Sequence, residues 1–345
     1  MDDTFDRRRV LAMGGALAAT PLLATGTPAQ AAPSTKDGVT LRRVTFTAPD
    51  GVRLVGHLRI PTGRRVPRPA VLLSNAMTSV KEQSVQTGYA HGLAAAGFVT
   101  LVFDQRRFGE SGGEPRQHED NEDRLTDLQA AVSYLIGQKA IVDSGRIGAL
   151  GVSIGGGLAM KLTAVDPRVG AFVAIAAGLH DPQRIRQLFG GPDAYAAALA
   201  EQTAALERYH RTGKMEYIPI VRTSDVPDTQ PVLFNSDIAT EYYGTARGAA
   251  ARWQNRASTL SLRTILVHDV RHPVDLVGPR AGLLAVGALD RSTLPEDHQA
   301  IYDRLTGPRR LVLLENVGHN DLYDQPQHVG RVVAEAATWF RTHLH

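Results

Sequence analysis

The chain has 345 residues, 43% of them hydrophobic and 21% charged, with a net charge of only +3. That balance is globular, and basic residues dispersed without a dense run beyond the N-terminus leave no electrostatic footprint for nucleic acid. There are no cysteines, which removes disulfides, thiolate catalysis and thiolate-bound metals from consideration.

Residues 1–31 come first in chain order. Arg7, Arg8 and Arg9 precede an apolar run from Val10 to Ala24, and Ala29-Gln30-Ala31 closes it. This is the layout of an export signal ending in an A-x-A cleavage site. Arg7-Arg8-Arg9-Val10-Leu11 resembles the twin-arginine signal, R-R-x-hydrophobic-Leu. Gly14, Gly15 and Pro21 break the run, which is short for a spanning helix. The expectation is a secreted protein, passed through the twin-arginine machinery, cleaved near Ala31 and not stably anchored in a membrane.

The rest of the chain alternates. "TLRRVTFTAPDGVRLVGHLRIP" reads as a hairpin turning at Pro49-Asp50-Gly51. "RPAVLLSNA" and "FVTLVFD" are short apolar runs of the kind found in buried parallel strands. A helix is predicted between them over 84–96, ended by Gly97. Leu125, Leu128, Ala131, Val132 and Leu135 have helical spacing within 121–136. "RIGALGV" is a strand, "GGGLAMKLTA" a helix and "VGAFVAIAAG" another strand. The order then breaks over about 180–277, which holds an Ala-rich helix candidate (194–209) with Gly213 as its stop. It resumes with the strand "AGLLAVGALD", a helix over 295–305, the strand "RLVLLENVG" and a last helix over 329–343. Strands alternating with helices imply a mostly parallel sheet covered on both faces, with the middle segment inserted as a helical cap.

Two stretches match G-x-S-x-G, namely Gly151-Val152-Ser153-Ile154-Gly155 and Gly109-Glu110-Ser111-Gly112-Gly113. A nucleophilic serine in this pattern must sit on a sharp turn from strand to helix. Ser153 has that context, with "RIGALGV" before it and a glycine-rich helix start after it. Its helix N-terminus also directs backbone N–H groups at the reaction centre. Ser111 is followed by Gly112-Gly113-Glu114-Pro115, a polar turn, so it reads as a loop-shaping residue.

A serine nucleophile needs a base, and the base needs an orienting acid. In the strand–serine–helix arrangement they follow in the order Ser, Asp or Glu, His. His319 sits just after a late strand, in "LLENVGHNDLYD", and is the candidate base. His57, His91 and His118 precede Ser153, His298 lies in a predicted helix, and His328 and His343 fall in or beside the last one. Asp290, ending "LLAVGALD", is the candidate acid, with Asp181 as its rival. His268 and His272 are four apart with Asp269 between them. They lack a helical pattern and a third ligand, so no metal site is expected.

These residues carry a resemblance. The chain resembles an α/β-hydrolase over nearly all of 40–345, with a mostly parallel eight-stranded sheet, helices on both faces and a helical cap at about 180–277. More narrowly it resembles the branch related to dienelactone hydrolases and Xaa-Pro dipeptidyl-peptidase-like hydrolases, which includes bacterial esterases and polyketide-type acyl transferases. The carriers are "SNAMTSVKEQ", "LVFDQRRFGESGGEPR", "GALGVSIGGG" and "NVGHNDLYDQP". The resemblance implies an oxyanion hole made by the backbone amides of Ile154 and Met77. Asn75-Ala76 stands where the family has His-Gly, which alters the shelf beneath the substrate. Arg107 stands where the pattern D-x-R-G-x-G-x-S has glycine.

The function implied is hydrolysis of a small-molecule ester or acyl substrate by Ser153, His319 and Asp290, through an acyl-enzyme and with no cofactor. An acyl transferase would use the same three residues. A peptidase is conceivable from the resemblance, but nothing reads as a pocket for an N-terminal amine. A non-catalytic binding protein would usually lose one of the three groups, and an aspartate-nucleophile hydrolase would not carry serine at the elbow.

Overall fold

The computed structural model describes residues 34–63 and 66–345. The export signal expected over 1–31 lies outside the described residues.

Three antiparallel strands open the sheet: β1 (Ser34–Lys36), β2 (Val39–Thr47) and β3 (Arg53–Pro61). The β2–β3 turn falls at the predicted place, and Gly51 supplies its positive φ of 86°. β4 (Arg68–Ser74) follows. The helix predicted over 84–96 begins as a π-helical stretch, Gln86–Ala90, and continues as α1 (His91–Ala95). β5 (Val99–Asp104) is buried at every residue, as an interior strand must be.

α2 (Asn121–Gly137) starts where Asp120 accepts hydrogen bonds from the amides of Glu122 and Asp123. It buries the predicted stripe of Leu125, Leu128, Ala131, Val132 and Leu135. β6 (Val142–Val152), α3 (Ile154–Val165) and β7 (Ala171–Ile175) come next. The inserted segment holds α4 (Pro182–Leu188), α5 (Pro192–Thr212), a small ribbon pairing β8 (Tyr217–Ile218) with β9 (Ala257–Ser258), α6 (Asp237–Tyr243) and α7 (Ser261–Leu266). Gly213 ends α5 in the left-handed region, φ 66°. Val270, Val274 and Val277 then join Met160, Phe172 and Leu284 in the main core, so the roofing part stops before residue 277. β10 (Ala281–Gly287), α8 (Pro295–Arg304), β11 (Arg309–Leu314), α9 (Asp321–Asp324) and α10 (Pro326–His343) complete the chain.

The large sheet runs β1-β2-β3-β5-β4-β6-β7-β10-β11, parallel from β5 onward. Among the described residues it has nine strands and not the expected eight. The extra one is β1, three exposed polar residues that pair along the edge of β2 and have no apolar alternation to betray them. Both faces are covered. Val71 and Leu73 of β4 point into a cluster with Leu93 and Phe340, while Ala70 and Leu72 point into another with Leu128, Val132 and Leu162. No described helix is long and apolar enough to cross a membrane.

Candidate active site

Ser153 stands between the end of β6 and the start of α3. Its φ of 55° and ψ of −127° are strained for a non-glycine residue, and the surroundings over-determine them. Its N–H donates to Ile175 O at 3.0 Å, and its own carbonyl accepts from Gly156 N and Gly178 N. The flanking glycines are there for space. A Cβ at Gly151 would lie 1.9 Å from Gly155 O, and one at Gly155 would lie 2.4 Å from both Ser74 O and Asn75 O. Any side chain at either position would push helix and strands apart.

His319 follows β11 and is nearly buried. Its Nδ1 is 2.8 Å from Asp290 Oδ2. Asp290 sits three residues past β10 and is held by a turn of its own making: its Oδ1 accepts from the amides of Ser292 and Thr293, and its Oδ2 from Thr293 Oγ1. Burial opposes charge on this carboxyl, but His319 and those donors outweigh it and keep its pKa below the ordinary 3.8. The rival Asp181 is occupied elsewhere. It caps α4 through Arg184 N and pairs with Arg271 at 2.9 Å.

Met77 lies in the loop after β4, and four distant groups fix that loop. Tyr243 Oη donates to Met77 O, Thr78 N donates to Glu119, Arg124 donates to Asn75 O, and Lys81 meets Asp104 and Glu110 in a buried cluster. Thr78 takes φ 60°, unusual for a β-branched residue. Ala76 is outside the left-handed region, so its methyl is accommodated where the resemblance has glycine. Ile154 is the first residue of α3, where an amide has no partner within the helix. Ser153, Ile154, Met77 and His319 line one cavity of about 540 Å³. Its roof is apolar, with Leu188, Phe189, Leu233, Phe234 and Ile265 from the inserted segment. Of the aromatic residues in that segment, Phe189, Phe234 and Tyr243 line the cavity, while Trp253 stacks on Tyr243 from behind.

Several participants left no readable mark in the sequence. Tyr323 Oη is 3.0 Å from His319 Nε2, and Thr293 Oγ1 is 3.1 Å from Nδ1. His298, buried in α8, accepts from Ala177 N through Nε2 and meets Leu294 O through Nδ1. His268 uses the opposite tautomer: Asn121 Nδ2 donates to Nδ1, and Nε2 faces Gly178 O at 3.3 Å. The two histidines thus grip the backbone beside Ser153 from either side. Burial pulls each down to a pKa of about 4. With both nitrogens engaged, His268 has no lone pair for a metal, and no metal-binding cluster occurs among the described residues.

Ser111 is placed quite differently. Its Oγ donates to Asp104 O and accepts from Val55 N, tying the loop after β5 to β3. Arg107 occupies the left-handed region, φ 72°, which accounts for the glycine of the related pattern; its guanidinium reaches Asp123 at 2.6 Å.

A mostly parallel sheet with a serine on the turn after β6, a carboxylate after β10 and a histidine after β11 defines an α/β-hydrolase. Residues 50–265 match the X-Pro dipeptidyl-peptidase (S15) family, and the chain belongs to it. It is 30% identical over 286 residues to the uncharacterized protein YcjY of Escherichia coli K12, covering 80% of this chain and 89% of that one. The crystal structure of the hypothetical protein PA2218 from Pseudomonas aeruginosa superimposes with a TM-score of 0.77 at 27% identity, covering 89% of this chain and 94% of that one. The polyketide transferase grgF of Penicillium is 25% identical over 281 residues, covering 81% and 89% of the two chains. Its crystal structure, described as an alpha/beta hydrolase, aligns with a TM-score of 0.71 at 23% identity, covering 88% and 99% of the chains.

Proposed function

We propose that the protein hydrolyses carboxylic esters through an acyl-enzyme on Ser153. The observation that carries this reading is that His319, hydrogen-bonded to Asp290 at 2.8 Å, lines one cavity with Ser153. His319 serves as general base towards Ser153, and Asp290 holds its tautomer and supports the cationic form. The amides of Met77 and Ile154 receive the oxyanion, an interaction worth about 3 kcal/mol per donor. His319 then protonates the leaving alcohol, and water releases the acid. No step uses a cofactor.

The apolar roof supports an ester whose acyl or aromatic part is large enough to fill it, since a cavity of this size is typical of small-molecule sites. Acyl transfer to an alcohol or amine is the second reading, favoured by the likeness to a polyketide transferase. It uses the same residues and differs in whether water reaches the acyl-enzyme. The arginine cluster and A-x-A sequence before Ala32 support export, with the substrate met outside the cytoplasm.

The test is hydrolysis of p-nitrophenyl esters from acetyl to palmitoyl by protein starting at Ala32, beside its Ser153→Ala variant. Activity confined to the unmodified protein is expected, rising with acyl length until the cavity is filled. Equal rates for both proteins on every ester would refute the reading. Acyl transfer predicts that an added alcohol or amine raises turnover and appears in the product.

A further inference from the structure

The cavity that holds Ser153 and His319 is mainly apolar, and the charge in its wall has one sign. Among the described residues that line it there is no aspartate, glutamate or lysine, and a single arginine, Arg291. Arg291 follows the acid Asp290 in the loop after β10. It is exposed, so it stands where the cavity opens to solvent. Among the described residues no hydrogen bond or ion pair engages its guanidinium. Other arginines around the site are taken: Arg124 donates to Glu119, Arg247 to Asp324, and Arg271 to Asp181 and Asp297.

The acids beside Arg291 are committed as well. Asp290 is held by His319 and Thr293. Asp297 meets His180 Nδ1 at 2.8 Å and accepts from Arg271 at 2.6 Å. Asp181 pairs with Arg271 at 2.9 Å and accepts from Arg184 N at 2.7 Å. A fixed positive charge beside an apolar wall, with no counter-charge in that wall, sets the sign of the potential in the cleft.

We propose that the substrate is an ester that also carries a carboxylate, bound by Arg291 at the cavity mouth; the inference rests on the serine-hydrolase reading above. A guanidinium presents paired N–H donors that match a carboxylate in a bidentate contact. The apolar body of the ester lies under Leu188, Phe189, Leu233 and Phe234. Asp290 meets His319, the group that protonates the leaving alcohol, so Arg291 enters from the His319 side of the cleft. The same contact serves a carboxylate on the leaving alcohol or at the far end of the acyl chain. The carboxylate is a spectator, and only the ester C–O bond breaks. A cationic end, such as the free amine of a peptide, would meet like charge and find no acid to receive it.

The experiment measures kcat/KM on matched esters with the unmodified protein, Arg291→Gln, Arg291→Lys and Ser153→Ala. One arm puts the charge on the leaving group, with butanoate esters of para-hydroxyphenylacetic acid, of its amide and of a trimethylammonium analogue. The other puts it on the acyl part, with the p-nitrophenyl monoester of glutaric acid beside p-nitrophenyl pentanoate. The quantity read is the ratio of anionic to neutral substrate within each protein, in which any general loss of activity cancels. The unmodified protein is expected to favour the anionic ester by about tenfold in at least one arm, the low end for a hydrogen bond to a charged group because the guanidinium is solvated. The trimethylammonium ester should be the slowest of its series. The ratio should fall to about one in Arg291→Gln, be partly kept in Arg291→Lys, and shrink as salt is added. A ratio within about twofold of one in both arms overturns the proposal, and so does a preference that survives Arg291→Gln. Serine-dependent hydrolysis without charge preference would leave the serine-hydrolase reading standing alone. If no ester is hydrolysed beyond the Ser153→Ala level, that reading falls and takes this inference with it.

Discussion

Two loops of this protein carry the same five-residue pattern and use it in opposite ways. In 151–155 the strained residue is the serine itself, φ 55°, and the glycines exist because no Cβ fits beside them. In 109–113 the serine is unstrained, and the glycines at 109 and 113 take positive φ of 49° and 99°. The first arrangement pushes a hydroxyl out of the backbone path towards a cavity. The second folds a hydroxyl inward, where Asp104 O and Val55 N consume it. A glycine–serine–glycine pattern therefore reports a tight backbone, and only the elements on either side decide what the serine is for.

Removing each hydroxyl separates the two loops most strongly. Ser153→Ala is expected to lower ester kcat/KM by at least about 1,000-fold with an unchanged melting temperature. Ser111→Ala should leave kcat/KM within about threefold. Comparable losses from both would show that the pattern was read from the wrong loop.

The glycines separate the loops next. Gly155→Ala puts a methyl 2.4 Å from two backbone carbonyls, neither of which is free to move. Destabilisation beyond about 4 kcal/mol, or failure to fold, is expected in urea titration. At Gly112, whose φ is not positive, the nearest atom to a new Cβ is Arg53 O at 3.5 Å, so alanine is expected to change stability by less than about 1 kcal/mol. Between these extremes lies Ser111→Ala, which strips the buried amide of Val55 of its acceptor. A loss of about 1–3 kcal/mol is expected, read from the same titration.

Acid sharpens the contrast further. His298 and His268, which grip the backbone at Ala177 and Gly178, titrate near 4 when folded and near 6.5 when unfolded. Below 6.5 the unfolded chain binds more protons, so stability falls as pH drops from 6.5 to 4, by at most ~3 kcal/mol per histidine. In the other loop, burial alone would raise Glu110, but Lys81 and Arg43 outweigh it and bring it to about 2. Its contribution is present above 4.5 and is lost only between 4.5 and 2. Hydrogen exchange at pH 5 should therefore show Ala177 N–H losing protection while Val55 N–H keeps it. The reverse order would contradict the neutral tautomers assigned to the two histidines.

Much of this was legible in the chain. Buried parallel strands read as unbroken apolar runs because both of their faces are covered, and β5, β7 and β10 are buried at every residue. The amphipathic stripe of α2 and the glycine stop of α5 were equally plain, since each depends on residues within a few positions. The strand β1 was not, because an exposed three-residue edge strand carries no apolar pattern. Nor was the π-helical start at Gln86–Ala90. There a Cβ at Gly88 would come 2.2 Å from Val329 in α10, and that neighbour lies far along the chain.

Order along the chain was enough to specify the alternating architecture, the serine that sits between a strand and a helix, and the placement of His319 and Asp290 at later strand ends. These are local signals, set by period and by the backbone needs of tight turns. Which atoms surround them depends on the folded arrangement. Tyr323 beside His319, Tyr243 on the carbonyl of Met77, and His298 and His268 on the backbone flanking Ser153 are contacts across the fold. Such contacts depend on where whole elements come to rest, and no spacing of residues along a chain encodes that position.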